Sequence, residues 1–118
     1  MTDLITYIGE GKGTIAHVEK VISGESWEKI LVIASPEHKK ESPKDERIEI
    51  VEIDSQKMLP EMIEQIKKEL KNKVKIMDTA VNIISGTGKE HMALISALLQ
   101  LGIGIRFIAL TKEGVREI

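Results

Sequence analysis

The 118-residue chain has no cysteine, which excludes disulfides, thiolate nucleophiles and cysteine-based zinc modules together. Aromatic residues make up only 3%, a single Trp, Tyr and Phe, so the stacking platforms that usually hold single-stranded nucleic acid are missing. Charge of one sign is also missing. A formal net charge of -2 attracts neither nucleic acid nor an anionic membrane to the molecule as a whole, so any anion site has to be local and no DNA contact is inferred. No run approaches the roughly 18 apolar residues that span a bilayer. Nor does the beginning, Met1-Thr2-Asp3-Leu4, place a basic segment ahead of an apolar one. A cytoplasmic protein with no membrane partner is expected. Asparagine occurs only at Asn72 and Asn82 while Glu and Lys dominate the charges, a thermophile-like balance.

What is present is 42% apolar residues in a chain of one-domain length, enough for one core over 1–118. Short β-branched or apolar runs at 4–8, 29–34, 47–53, 80–85 and 106–110 read as five strands, with a last short strand at 115–118. Ile15, Val18 and Ile22, three and four apart, predict a helix over 14–23 with Thr14 able to cap it and Gly24 to stop it. Leu59, Ile63, Ile66, Leu70, Val74 and Met77 keep helical spacing and predict one helix to about Met77. A third helix, 90–101, is apolar almost all round, with only Ser96 and Gln100 polar in its interior. The segment 35–46 has no apolar periodicity and reads as a loop.

Strands alternating with helices require right-handed parallel crossovers. The expected fold is therefore α/β, a Rossmann-like three-layer sandwich with a mainly parallel sheet of order 3-2-1-4-5 and an antiparallel final strand. In that order the winding reverses between strands one and four, where ligands bind in such sheets. Those two strands lead into the glycine-rich loops, Gly9-Glu10-Gly11-Lys12-Gly13 and Ser85-Gly86-Thr87-Gly88-Lys89. Glycine allows close backbone approach, and each loop enters a helix N-terminus whose first amides favour an anion. Lys12 and Lys89 add positive charge there, Glu10 and Glu90 oppose it, and the balance favours one or two phosphodiesters over a polyphosphate. Either loop alone is equally what a tight strand-to-helix turn needs. Neither reproduces the dinucleotide fingerprint or the Walker loop. Lys89 is the candidate for neutralising charge, and Thr14, Ser85 and Thr87 are candidate hydrogen-bond donors to the same group. His91, one turn away, is a candidate base or a cap-region residue, while His17 and His38 have no partner at metal-ligand spacing. No resident metal or cofactor is expected.

Ile5-Thr6-Tyr7-Ile8-Gly9 with its small-residue loop, and Val81-Asn82-Ile83-Ile84-Ser85-Gly86-Thr87-Gly88-Lys89-Glu90-His91-Met92 with its apolar helix, resemble the CRISPR-associated Rossmann-fold (CARF) domains that sense cyclic oligoadenylates. The resemblance spans nearly the whole chain and departs from the family pattern by one glycine between Thr87 and Lys89. It implies a homodimer in which both copies of each loop surround one cyclic ligand, with slow metal-independent ring-nuclease cleavage in some members. By position, Gly9, Glu10, Gly11, Lys12, Gly13 and Thr14 would contact the ligand from the first loop. Ser85, Gly86, Thr87, Gly88, Lys89 and His91 line the second, with Lys89 and Thr14 as the catalytic candidates. The apolar helix fits the dimer, since a helix apolar on both sides needs a second cover. Two rivals use the same sequence: an enzyme binding a mononucleotide or nucleotide sugar in the crevice, and a non-catalytic regulatory interaction domain whose glycine loops are structural.

Overall fold

The computed structural model describes residues 2–11, 13–75 and 77–118. Six strands, β1 (Leu4–Ile8), β2 (Ile30–Ala34), β3 (Ile48–Glu52), β4 (Thr79–Asn82), β5 (Ile105–Thr111) and β6 (Gly114–Glu117), form one sheet of order 3-2-1-4-5-6. All neighbours are parallel except β5 and β6. The expected α/β fold, strand order and antiparallel end are what the chain adopts. Alternation along the central strands explains the layers, because successive side chains leave opposite faces of a sheet. Leu4, Ile8, Val32 and Ala34 meet α1 (Thr14–Ser23) through Val18, Val21 and Ile22. Ile5, Tyr7, Leu31, Ile33 and Val51 meet α2 (Leu59–Leu70) and α3 (Gly88–Gln100) on the other face.

Two local expectations need correction. The helix expected to run to about Met77 ends at Leu70, and the chain turns over Lys71–Lys73 as the Lys73 amide donates to Leu70 O at 2.9 Å. Twelve helical residues cover about 18 Å at 1.5 Å each, which matches a five-residue strand at about 3.3 Å each. A helix continued to Met77 would overshoot the sheet. Val74 keeps the helical spacing because it still packs on the core from the loop, whereas Met77 is exposed. The second correction concerns Thr14. The N-cap of α1 is Gly13, at φ 93°, and no side chain caps the helix. Thr14 is its first helical residue, and its hydroxyl turns back to donate to Gly11 O at 2.5 Å.

The segment 35–46 replaces the crossover helix that would normally join β2 to β3, and contains only a single 3₁₀ turn, Lys39–Glu41. Its far end is pinned. Arg47 forks onto Asp45 (2.7 and 2.9 Å) and also donates to Ile22 O and Glu25 O, so the guanidinium closes the C-terminal end of α1. The fork holds the Asp45 carboxyl down to about 2.

β4 leaves the sheet after Asn82 while β5 continues to Thr111, which strands backbone groups on β5. Two side chains take over. Asn82 Nδ2 donates to Ile108 O at 2.9 Å, and His17 Nε2, on α1, accepts from the Leu110 amide at 3.2 Å and lies 3.2 Å from Asn82 Nδ2. Accepting from a backbone N–H requires Nε2 to be unprotonated, and burial accordingly lowers the His17 pKa below its ordinary 6.5. A base with a lowered folded pKa stabilises the fold fully above its unfolded value and loses that contribution as the pH falls. Thermal melts are thus expected to show stability falling as pH drops below about 6.5, and His17→Gln, which still offers an acceptor but does not titrate, should flatten that limb. An unchanged limb in His17→Gln would remove His17 as its source.

Candidate functional site

The carboxyl ends of β1 and β4 are stitched together before any ligand is considered. The Gly9 amide donates to Ser85 Oγ at 3.0 Å, the Ser85 hydroxyl returns to Gly9 O at 3.4 Å, and the Gly86 amide donates to Glu10 O at 3.0 Å. The approach is so close that a Cβ on Gly9 would stand 2.7 Å from Glu90 Oε1 and 2.9 Å from Gly86 Cα. Gly86, at φ 107°, is similarly enclosed by Glu90, His91 and Tyr7. Glycine is required at Gly9 by the close approach of Gly86 and Glu90, and at Gly86 by its positive φ and the side chains around it.

Glu90 is the wedge under that junction. It is buried, and its carboxylate accepts from the Thr87 amide at 2.8 Å while the Glu90 amide donates to Thr87 Oγ1 at 3.2 Å, a reciprocal cap on α3. The expectation that both helix N-termini offer free amides is corrected here: the chain's own side chains occupy donors at the start of α3. The pattern Thr87-x-x-Glu90 carries this cap in the sequence and is absent from the expectations above. His91 also turns inward. Its Nε2 lies 2.7 Å from Ser85 O, so that nitrogen carries the proton and donates, and its ring meets Tyr7 edge-on at 6.5 Å. Tyr7 is fully buried, and burial first, then the charge of Glu90, push its hydroxyl pKa far up. Among the described residues the Tyr7 hydroxyl and the buried Ser35 hydroxyl at the end of β2 meet no hydrogen-bond partner.

α1 is different. It begins without a side-chain cap and with no acidic residue in its first turn. A cavity of about 590 Å³ opens there, lined by Gly9, Glu10, Gly11, Gly13, Ile15, His38 and Glu41. A second, of about 220 Å³, lies toward α3 and is lined by Glu10, Glu37, His38, Ser55, Gln56, Thr87, Lys89 and Glu90. Glu10 and His38 belong to both. The segment 35–46 therefore supplies the outer wall. Lys89 is exposed and reaches across the smaller cavity to donate to Ser55 O at 3.0 Å.

The expected residues thus fall into three groups. Gly9, Glu10, Gly11 and Gly13 line the larger cavity, and Thr87 and Lys89 the smaller one. Ser85, Gly86 and His91 hold the junction beneath. Gly88 has open space around its Cα, Thr14 bonds back into its own loop, and Lys12 lies outside the described residues. His38 and Glu41 were not among the expected site residues. Spacing of i and i+3 on one turn, with Nδ1 to Oε2 at 3.0 Å, is the signal that pairs them. Among the described residues no three His, Asp or Glu side chains converge to hold a metal ion, and no helix is long and apolar enough to cross a membrane.

The apolar third helix is only partly covered. Ala93, Leu94, Ala97 and Leu98 face the core and α2 runs alongside, while Met92 and Leu99 are 59% and 63% exposed, with Ile84 at the preceding bend also exposed. No protein-family model matches the chain, and comparison with curated proteins yields no match.

Gly9→Ala is expected to cost about 1–3 kcal/mol, because the new methyl overpacks against the Gly86 backbone and the Glu90 carboxylate. Gly88→Ala, at a helical position with open space around it, should be neutral or slightly stabilising. Urea denaturation of the two variants checks the contrast, and equal losses would argue against the stitched junction.

Proposed function

We propose that the chain is a nucleotide-binding domain that takes a phosphodiester-linked ribonucleotide at the carboxyl ends of β1 and β4. Its homodimeric form, of the kind implied by the resemblance to cyclic-oligoadenylate sensors, would present two copies of this crevice to one symmetric ligand. The observation that carries the reading is the larger cavity against the uncapped start of α1. Its volume falls within the range of about 300–1,000 Å³ usual for small-molecule sites. Glycine backbone and Ile15 form one wall, which suits a flat base or a ribose, and the α1 amides with their dipole suit a phosphate oxygen. Glu10, Glu37 and Glu41 on the rim repel a polyphosphate, which supports a ligand carrying one charge per phosphate.

The dimer is supported by the exposed stripe Met92, Leu99 on α3, seven residues apart and so on one face. A rival reading keeps the same crevice for a small linear mononucleotide, and the volume of the larger cavity, about 590 Å³, is of the size such a ligand fills.

Light scattering is expected to give twice the monomer mass, and Met92→Asp with Leu99→Asp to halve it. Thermal shift with cyclic tetra-adenylate and cyclic hexa-adenylate should exceed the shift with AMP. Stabilisation by AMP alone on a monomer would replace this reading by the rival, and no shift with any of the three would discard both.

A further inference from the structure

The two edges of the sheet are built differently. At β3, ion pairs hold lysines over the outermost strand, Lys39 to Glu52 at 2.7 Å and Lys73 to Glu49 at 2.6 Å. Lysine is a common guard on a sheet edge. β6, at the other edge, contains neither lysine nor proline. Its inner groups are used: the Ile118 amide donates to Phe107 O at 2.9 Å, and the register sets Arg116 opposite Ala109 and Gly114 opposite Thr111. Bonded pairs alternate along an antiparallel ladder, so the main-chain N–H and C=O groups of Val115 and Glu117 point away from β5. Among the described residues one hydrogen bond is made on that outer side, from Arg116 Nη1 to Val115 O at 2.9 Å. Arg106 is paired with Asp78 at 2.8 Å and with Glu117 at 3.6 Å, whereas Arg116 has no carboxylate partner among the described residues.

A cavity of about 440 Å³ opens beside this edge. Thr2, ahead of β1, helps to line it, which puts it at the end of the sheet away from the glycine loops. Its apolar wall is Trp27, Ile108 and Val115, and the indole N–H of Trp27 fixes that ring by donating to Val21 O at 2.9 Å. A second copy of the chain does not suit the edge. Antiparallel pairing about a two-fold axis sets side chains of one face opposite each other, so the axis falls on a residue. Centred on Arg116 or on Glu117, it sets that charge against its own copy. Centred on Val115, it sets Glu117 against Glu113 across the axis. Like charges directly opposite are destabilising, which leaves a segment of different sequence as the occupant.

We infer that the outer edge of β6 docks an extended, acidic peptide segment of another protein, added antiparallel as a seventh strand. Its acid lies opposite Arg116, and an apolar residue opposite Val115 enters the Trp27 recess. Docking turns the Arg116 guanidinium from Val115 O to the incoming carboxylate and frees that carbonyl for the new ladder. Glu117 already leans on Arg106, so the position opposite it takes any residue other than an acid. This surface shares no residue with the nucleotide crevice or the α3 stripe and depends on neither.

The probe is the capped peptide acetyl-Thr-Thr-Glu-Val-Thr-amide, titrated into the full chain to millimolar concentration and followed by amide NMR. The Val115 and Glu117 amides are expected to move and to exchange more slowly with deuterium, while those of Gly9, Gly11 and Gly13 stay in place. The same peptide with lysine for glutamate should bind about fivefold or more weakly. Arg116→Glu should reverse that preference, a result that a packing role for Arg116 does not produce. Glu117→Pro removes an amide that no strand of the sheet uses, so it should melt like Glu117→Ala yet lose the peptide. Should Glu117→Pro unfold, the reversal in Arg116→Glu decides. Equal binding of the two peptides by the wild type, or no movement at Val115 and Glu117, overturns the proposal. Movement of these amides with protein concentration in the absence of peptide also overturns it, because a second copy would then hold the edge.

Discussion

Everything at the upper end of this sheet depends on the contact between Gly9 and the Ser85-Gly86 turn. Parallel strands β1 and β4 pair over only three residues, Leu4 to Ala80 through Thr6 to Asn82, after which they would part. The two bonds between Gly9 and Ser85 and the one from Gly86 to Glu10 keep them together for one further turn. Glu90 fills the remaining space and, through Thr87, sets where α3 begins. A buried carboxylate is costly unless its lone pairs are used, and here the capping amide uses one while the surrounding glycines leave room for it. The junction thereby fixes the separation of the two helix N-termini, one closed by its own side chains and the other without a side-chain cap, its first amide, Thr14, turned back to Gly11 O at 3.1 Å.

Much of the fold was legible from the sequence because the central strands obey simple rules. Runs such as Ile30-Leu31-Val32-Ile33 are apolar without alternation, and both faces of them are buried, as parallel strands require. The strand order follows from right-handed crossovers, with the short β2–β3 connection as the single irregularity. Periodicity misled at α2, since Val74 satisfies a helical spacing from a loop and spacing alone cannot tell packing on a core from continuation of a helix.

The site was only half legible. Glycine content identified both loops, but glycine that frees a loop to meet a ligand and glycine that yields to a neighbouring chain look identical in sequence. Gly9 belongs to the second kind, and Gly86 is held to glycine by its positive φ among the side chains of Tyr7, Glu90 and His91. The reciprocal cap of Thr87 and Glu90 is a local pattern and could have been read. The inward turn of His91 and the shared wall position of His38 are tertiary facts with no local signature, because they depend on where Ser85 and the two cavities lie.

Replacement of a crossover helix by segment 35–46 separates two evolutionary demands on the chain. Most residues of a crossover helix answer to a core, so substitutions there are screened for folding first. In this segment Ser35 and Ser42 are the buried positions and Arg47 anchors the far end through backbone carbonyls of α1. The stretch between them, including His38 and Glu41, can drift or be exchanged with little consequence for the sheet. Side chains along this rim are therefore free to diversify at nearly constant stability, and a segment of the same length can be grafted there without rebuilding the sheet.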